Sequence, residues 1–242
     1  MAEIRALVAA AGRGTRAGLP YPKTLFPIQG KPILVHIAEL LYLYDTTPTV
    51  IVSPEGAAPV QQCLDAVGLR AHLVVQPAPI GMGDAVLRFV QSPAFDAADH
   101  ILLVWGDIPF MQPETVAAVL RAHFEHSNDF TFATRMVDSA YTIVSRDAAG
   151  RVTGVIETRE QGLALPLAGE RDIGLFVFRK GVLLDALRED LPGKLGKITG
   201  EHGFLYVIGH LAARGLRVEA LPVATELDLV SLNKLKDVAV FL

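Results

Sequence analysis

The chain has 242 residues, 51% hydrophobic and 20% charged, with 22 basic against 26 acidic side chains and a formal charge of −4. That length and filling suit one large α/β domain, or a core with a smaller inserted lobe, and exclude a disordered chain. No apolar run approaches the roughly 18 residues of a membrane span, and a mildly acidic chain without a basic stripe is not expected to bind nucleic acid. The opening MAEIRALVAAAG carries an acidic residue and passes straight into a strand, so it is not read as a signal peptide, and a cytoplasmic location is expected. Cys63, the single cysteine, sits among helix-patterned residues and reads as a structural core thiol.

Taken in order, the apolar run from Ala6 to Ala11 predicts a buried parallel strand that stops abruptly at Gly12-Arg13-Gly14-Thr15. A helix is expected from about Pro32 to Tyr44, a strand over Thr49 to Val52, a helical pattern through Val60, Leu64 and Val67, and a third strand from Ala71 to Val75. Next come a helix from about Asp84 to Val90, a strand from His100 to Trp105, a helix opened by Pro113 and reaching about His126, and a strand from Asp129 to Met136. This alternation predicts an α/β fold, Rossmann-like, with a mixed, mostly parallel sheet and helices on both faces. The loops after Ala11, Val75 and Trp105 then share the carboxyl edge, where such sheets bind ligands.

From Tyr141 the pattern changes to two short strands joined by a turn at Asp147 to Gly150. They are expected to extend the sheet and wall a second pocket. A strand from Asp172 to Phe178 follows a loop containing Pro166 and Gly169. Helices at Gly181 to Glu189 and His202 to Arg214, a strand at Arg217 to Val223 and a final helix from Asn233 complete the reading.

The chemistry begins at the glycine turn. Successive amides at the end of a strand can cradle phosphate oxygens, and Arg16 and Lys23 supply positive charge, so the stretch from Leu7 to Lys23 reads as a nucleoside triphosphate loop. A Walker loop is excluded, because no Gly-Lys-Ser/Thr triplet occurs. Gly12-x-Gly14-x-x-Ala17 fits the letters of a dinucleotide fingerprint, yet Pro20 and Pro22 make the way to Lys23 an extended loop. The first acidic residue beyond the second strand, Glu55, also comes later than that fingerprint requires. A glycine turn alone could be only a tight connection; Pro22-Lys23 argues against it. Asp107 closes the apolar run HILLVWGD, where a carboxylate is held rigidly and suits Mg²⁺; the alternative is a turn or helix-capping aspartate.

Gly12-x-Gly14-Thr15-Arg16 followed by Pro22-Lys23 resembles the signature of the sugar-1-phosphate nucleotidyltransferases, most closely the uridyltransferase domain that makes UDP-N-acetylglucosamine. The likeness extends more weakly along nearly the whole chain. It implies one domain of the nucleotide-diphospho-sugar transferase type, with a nucleotide-binding half over about 1–136 and an acceptor-binding half over about 137–242. The substrates implied are a nucleoside triphosphate and a sugar 1-phosphate, with Mg²⁺ as cofactor. Arg16 and Lys23 are the implied catalytic cations. Ala10, Gly12, Gly14 and Thr15 would hold the phosphates, while Gln76, Gly81 and Met82 would read the base. Asp107, in Gly-Asp-x-Pro, and Asn233, in Leu232-Asn233-Lys234, resemble the metal ligands. Trp105, Thr142, Glu157 and Asp172 stand on the sugar side.

Three positions depart from the family pattern: Met82 where Thr is usual, Tyr141-Thr142 in place of Tyr-Gly, and Asp172-Ile173-Gly174 in place of Asn-x-Gly. They keep open a non-sugar acceptor, such as an alditol phosphate, phosphocholine or a molybdopterin-type cofactor, and also a catalytically silent nucleotide sensor. Other readings of single residues stand beside these. Asn233 could cap a helix, Gln76 could merely end a strand, and Glu157 could be a surface residue of an edge strand. Glu201 and His202 read as helix-opening residues, His36 and His210 as packed histidines. No hexapeptide array follows, so the acetyltransferase half found in some relatives is not expected, and self-association is left open.

Overall fold

The computed structural model describes residues 2–12, 14, 17–162 and 167–242. In chain order its elements are β1 (Ile4–Ala9), β2 (Pro27–Ile28), β3 (Lys31–Pro32), α1 (Ile33–Leu41), β4 (Thr49–Val52), α2 (Ala57–Ala66), β5 (His72–Val75), α3 (Met82–Leu87), β6 (His100–Trp105), α4 (Pro113–Glu125), β7 (Phe130–Val137), β8 (Thr142–Arg146), β9 (Val152–Glu157), β10 (Gly169–Arg179), α5 (Lys180–Arg188), α6 (Tyr206–Ala213) and β11 (Val218–Leu221). They form two compact units, neither continuous in sequence: 1–79 with 88–113 and 226–242, and 80–87 with 114–225. Among the described residues no helix is long and apolar enough to cross a membrane.

In the first unit, β1 pairs in parallel with β4 on one side and β6 on the other, and β4 pairs in parallel with β5. The central strands β1, β4 and β6 are buried along consecutive apolar residues, because helices must cover both faces of a parallel sheet. Ala6, Leu7, Val8, Val50, Ile51 and Ile101 to Val104 are fully buried, with Ile33, Leu34, Leu41, Val60 and Leu64 from α1 and α2. The short hairpin β2–β3 escaped the sequence reading, since two-residue strands show no alternation; its turn, Gln29-Gly30, has positive φ at both residues, as a primed hairpin turn requires.

In the second unit, β7 is flanked by antiparallel β10 and parallel β11. A buried aromatic cluster of Phe130, Phe132, Phe176, Phe178 and Phe204 fills its core. The mostly parallel α/β reading holds, with three corrections. First, β8 and β9 form their own two-stranded sheet and do not extend the larger one. Both edges of β7 are taken, and Arg146 Nη2 donates to the Ala220 carbonyl of β11 at 3.0 Å, where a further strand would have paired. Second, α6 starts at Tyr206 and not at His202, because His202 is held extended in an isolated bridge with Leu195. Third, no helix starts at Asn233: the tail makes 3-10 turns at Leu235–Asp237 and Ala239–Phe241. Val238 is buried and Phe241 packs against Phe110, but Leu235, Val240 and Leu242 are exposed, too little apolar burial to stabilise a continuous helix of this length.

Candidate active site

The first unit gathers its polar side chains where the sheet theory of open α/β folds puts ligands. Since β1, β4, β5 and β6 are parallel, the segments that follow them share one edge. Ala10 donates its N–H to the Ile51 carbonyl at 2.9 Å, which fixes where the chain leaves β1. Gly14 has φ +73°, and the N–H groups of Ala17 and Leu19 both donate to its carbonyl. The loop then closes on itself: the Lys23 N–H donates to the Gly12 carbonyl at 3.2 Å, and Lys23 opens a 3-10 turn, Lys23–Leu25. Thr15 and Arg16 lie outside the described residues, as does Pro166.

On the neighbouring strand, Trp105 ends β6 opposite Ala9 of β1. Gly106 follows and donates its N–H to the Ala9 carbonyl at 3.0 Å. Asp107 comes next, and Lys23 Nζ donates to its Oδ2 at 2.5 Å, with each side chain about one-fifth exposed. The Leu232 N–H donates to the Asp107 carbonyl at 3.0 Å, which fixes Leu232, and so its neighbour Asn233, beside Asp107. Lys23 and Asp107, far apart in sequence, thereby meet through their side chains, and the backbone next to Asn233 is tied to Asp107. Asn233 caps nothing: its Nδ2 donates to Ser231 Oγ at 3.0 Å, and Lys234 takes the capping position with Asp237. Gln76, buried just beyond β5, donates its N–H to the Val52 carbonyl at 2.8 Å on the same edge.

Among the described residues no group of three or more His, Cys, Asp and Glu side chains could hold a metal unaided. Mg²⁺ requires less, because it keeps several waters and borrows phosphate oxygens, needing one or two protein oxygens. Asp107 Oδ1 fits that need: it is buried and has no hydrogen-bond partner among the described residues. An orphaned buried carboxylate oxygen is costly unless a cation or donor meets it in use.

The second unit converges three of the sugar-side residues. Thr142 lies opposite Glu157 across the β8–β9 pair, and its hydroxyl donates to Asp172 Oδ1 at 2.6 Å. Asp172 Oδ2 accepts the Gly174 N–H at 3.1 Å, at the irregular part of β10. Burial pushes the Asp172 carboxyl above the usual aspartate range. Glu157, with its side chain only 25% exposed, is no surface residue. Burial raises its pKa, the nearby Asp172 adds to the rise, and Arg159 at 3.7 Å opposes it. A carboxyl whose folded pKa lies above its ordinary 4.5 carries no penalty below that pH and costs stability as the pH rises towards the folded value. Glu157→Gln should therefore gain in melting temperature relative to the parent between pH 4 and pH 7. A difference that stays flat across that range would mean that Glu157 is not desolvated.

Gly81 and Met82 lie at the start of α3, and what holds them was not foreseen. The His202 N–H donates to the Ile80 carbonyl at 2.6 Å and the Gly83 N–H donates to the His202 carbonyl at 3.0 Å, so His202 runs beside the segment like a strand. A Cβ on either Gly81 or Gly83 would overlap His202 or Gly203. Burial lowers the His202 pKa, and its Nε2 has no hydrogen-bond partner among the described residues. The glycines at 81 and 83 were the only sequence signal for this clamp. Tyr141 was singled out only as a neighbour, yet its hydroxyl accepts from Arg171 Nη2 at 2.6 Å and its ring lies 4.1 Å under that guanidinium. A cavity of about 750 Å³ lined in part by Arg146, Arg151 and Arg217 contains none of the predicted site residues. His36 and His210 pack as expected, each bonding a backbone carbonyl, Ile28 and Pro192 respectively. Cys63 is half-buried, and burial raises its thiol pKa.

The model of the MobA-like NTP transferase domain matches residues 6–174. Among curated proteins, the bifunctional protein GlmU of Alkalilimnicola ehrlichii is 32% identical over 234 residues, covering 94% of this chain and 47% of that protein. GlmU of an Exiguobacterium species is 32% identical over 186 residues, covering 76% and 40%. The chain spans about half the length of the curated relatives it matches. Among solved structures, a Bacillus anthracis protein assigned as a glucose-1-phosphate thymidylyltransferase, crystallised with a sucrose, has TM-score 0.72 at 16% identity, covering 90% of this chain and 85% of that one. At that identity the likeness is one of fold.

Proposed function

Because the chain belongs to the MobA-like NTP transferase family, we propose that it transfers a nucleoside monophosphate from a nucleoside triphosphate to a sugar 1-phosphate, releasing pyrophosphate. The single observation that carries this reading is the meeting of Lys23 and Asp107 on the carboxyl edge beside the glycine loop. An oxygen of the acceptor phosphate attacks the α-phosphorus; the new P–O bond forms as the bond to the β-phosphate breaks, and pyrophosphate leaves in line. The acceptor oxygen is already anionic, so no protein nucleophile or base is required. Lys23, with Arg16 from the same loop, neutralises charge that grows on the phosphates. Asp107 and Asn233 are the residues that would hold Mg²⁺, which when bound supplies charge neutralisation to phosphate oxygens. Gln76 has the donor and acceptor that a base edge needs.

On the acceptor side, Glu157 and Thr142 are assigned to hydroxyl groups. Asp172 already accepts from Thr142 and Gly174, a commitment that favours a second reading in which the phosphorylated acceptor is not a sugar. The test is pyrophosphate release, with Mg²⁺ present, from each of the four common nucleoside triphosphates across sugar 1-phosphates, alditol phosphates and phosphocholine. Turnover with a sugar 1-phosphate is expected to exceed that with the others. Turnover confined to a non-sugar acceptor selects the second reading, and nucleotide binding without turnover on any acceptor would leave only a sensor.

A further inference from the structure

The ion pair between Lys23 and Asp107 poses a problem for the proposed chemistry, because both partners are assigned elsewhere when substrates are present. Lys23 Nζ stands 2.5 Å from Asp107 Oδ2, while Oδ1 of the same carboxylate is buried without a donor among the described residues. An ammonium and a divalent cation on the two oxygens of one small carboxylate repel each other, since like charges a few ångströms apart in a partly buried site raise each other's energy, and this favours departure of the more weakly held ion. Lysine is suited to leave. Its ammonium is a point charge on a flexible four-carbon stem with no fixed fork geometry to lose. The backbone of Lys23 is anchored independently, through its N–H to Gly12 and the 3-10 turn it opens, so the side chain can swing without unmaking the loop.

We propose that Lys23 is the resident counter-ion of Asp107 in the free protein and that a divalent cation must displace it, freeing the lysine for the triphosphate only once the cation is bound. This rests on the reading of Asp107 as a metal ligand. The ammonium neutralises the Asp107 carboxylate in the free protein, and the same charge changes partner when the cation binds. Cation and nucleotide then bind with positive coupling, and by linkage each tightens the other by the same factor.

The consequence has an unusual sign: removing a residue from the catalytic machinery should improve metal binding. Mn²⁺ can be titrated into the nucleotide-free protein and the free ion followed by electron paramagnetic resonance. Lys23→Met, which keeps the stem and removes the charge, should bind Mn²⁺ about 10-fold more tightly than the parent, equivalent to about 1.4 kcal/mol. Lys31→Met, which removes an exposed lysine paired with Glu39, should leave the affinity unchanged, and Asp107→Asn should abolish site binding. Equal or weaker Mn²⁺ binding by Lys23→Met overturns the displacement, as does an equal gain in Lys31→Met, which would reduce the effect to net charge. Absence of Asp107-dependent binding in both the parent and Lys23→Met would instead remove the metal-site reading itself, and the displacement with it. Melting curves of each variant confirm folding, and Lys23→Gln gives the same readout should the methionine variant fail to fold.

Discussion

Lys23→Ala is expected to lower kcat by about 10²- to 10³-fold, the loss typical when one preorganised charge facing a developing transition-state charge is removed. The fold should survive, for two reasons. Asp107 keeps about one-fifth of its side chain open to water, so the carboxylate left without its lysine should cost about 1–3 kcal/mol, less than the stability of a typical domain. The loop is also closed by main-chain bonds, the Lys23 N–H to Gly12 and the Leu25 N–H to Pro22, which a change of side chain leaves in place. Measured with saturating triphosphate and acceptor, the deficit should appear in kcat, because the lysine acts most strongly as charge shifts towards the leaving pyrophosphate. Taken with the expected gain in Mn²⁺ affinity on losing this charge, slower turnover with tighter metal binding would separate a lysine that changes partner from one that merely attracts anions. Full activity in Lys23→Ala would remove Lys23 from the reaction.

Gly106→Ala should destabilise the protein by about 1–3 kcal/mol, the range for overpacking a close-packed site, and should lower turnover at temperatures where the variant remains folded. The register of β1 with β6 sets Trp105 beside Ala9, so the chain leaving β6 passes directly over the chain leaving β1. A Cβ at 106 would lie 2.8 Å from the Ala9 carbonyl oxygen and 2.9 Å from the Ala10 Cα and Cβ. These are backbone and near-backbone atoms at the end of a buried parallel pair, and they cannot yield as the end of a long side chain can. One strand exit must therefore move away from the other. Asp107 is attached to one exit and the loop carrying Lys23 to the other, so even a displacement of a few tenths of an ångström alters the pair that the proposed chemistry uses. Urea titration gives the stability change, and pyrophosphate release at low temperature gives the activity. A variant equal to the parent in both would show that the two exits are not rigidly coupled.

Local pattern made much of the first unit legible. Thr49–Val52 and His100–Trp105 have the bounds expected of continuous apolar runs closed by turn residues, and parallel pairing followed from the helices between them. Pairing partners are harder to foresee. Tyr141 to Glu157 was read rightly as two strands, yet its alternation says nothing of whether an edge stands free to receive them, and β7 had none. The same limit hid His202, whose extended backbone is held by Ile80 and Gly83 from far away in sequence, and it misplaced a helix at Asn233, where Lys234 is extended and the chain makes only short 3-10 turns.

By itself the sequence determined the α/β alternation, the carboxyl edge where loops with Gly12, Gln76 and Asp107 emerge, and the kinds of charge those loops carry, because hydrophobic period and turn chemistry are written in neighbouring residues. Only the tertiary structure decided that Lys23 meets Asp107 across 84 positions, that residues 226–242 return to the first unit so that Leu232 can bond Asp107, and that Thr142 holds Asp172. Such contacts depend on which strand lies beside which and in what register, and a chain specifies that through the packing of its whole core rather than through any short stretch of it.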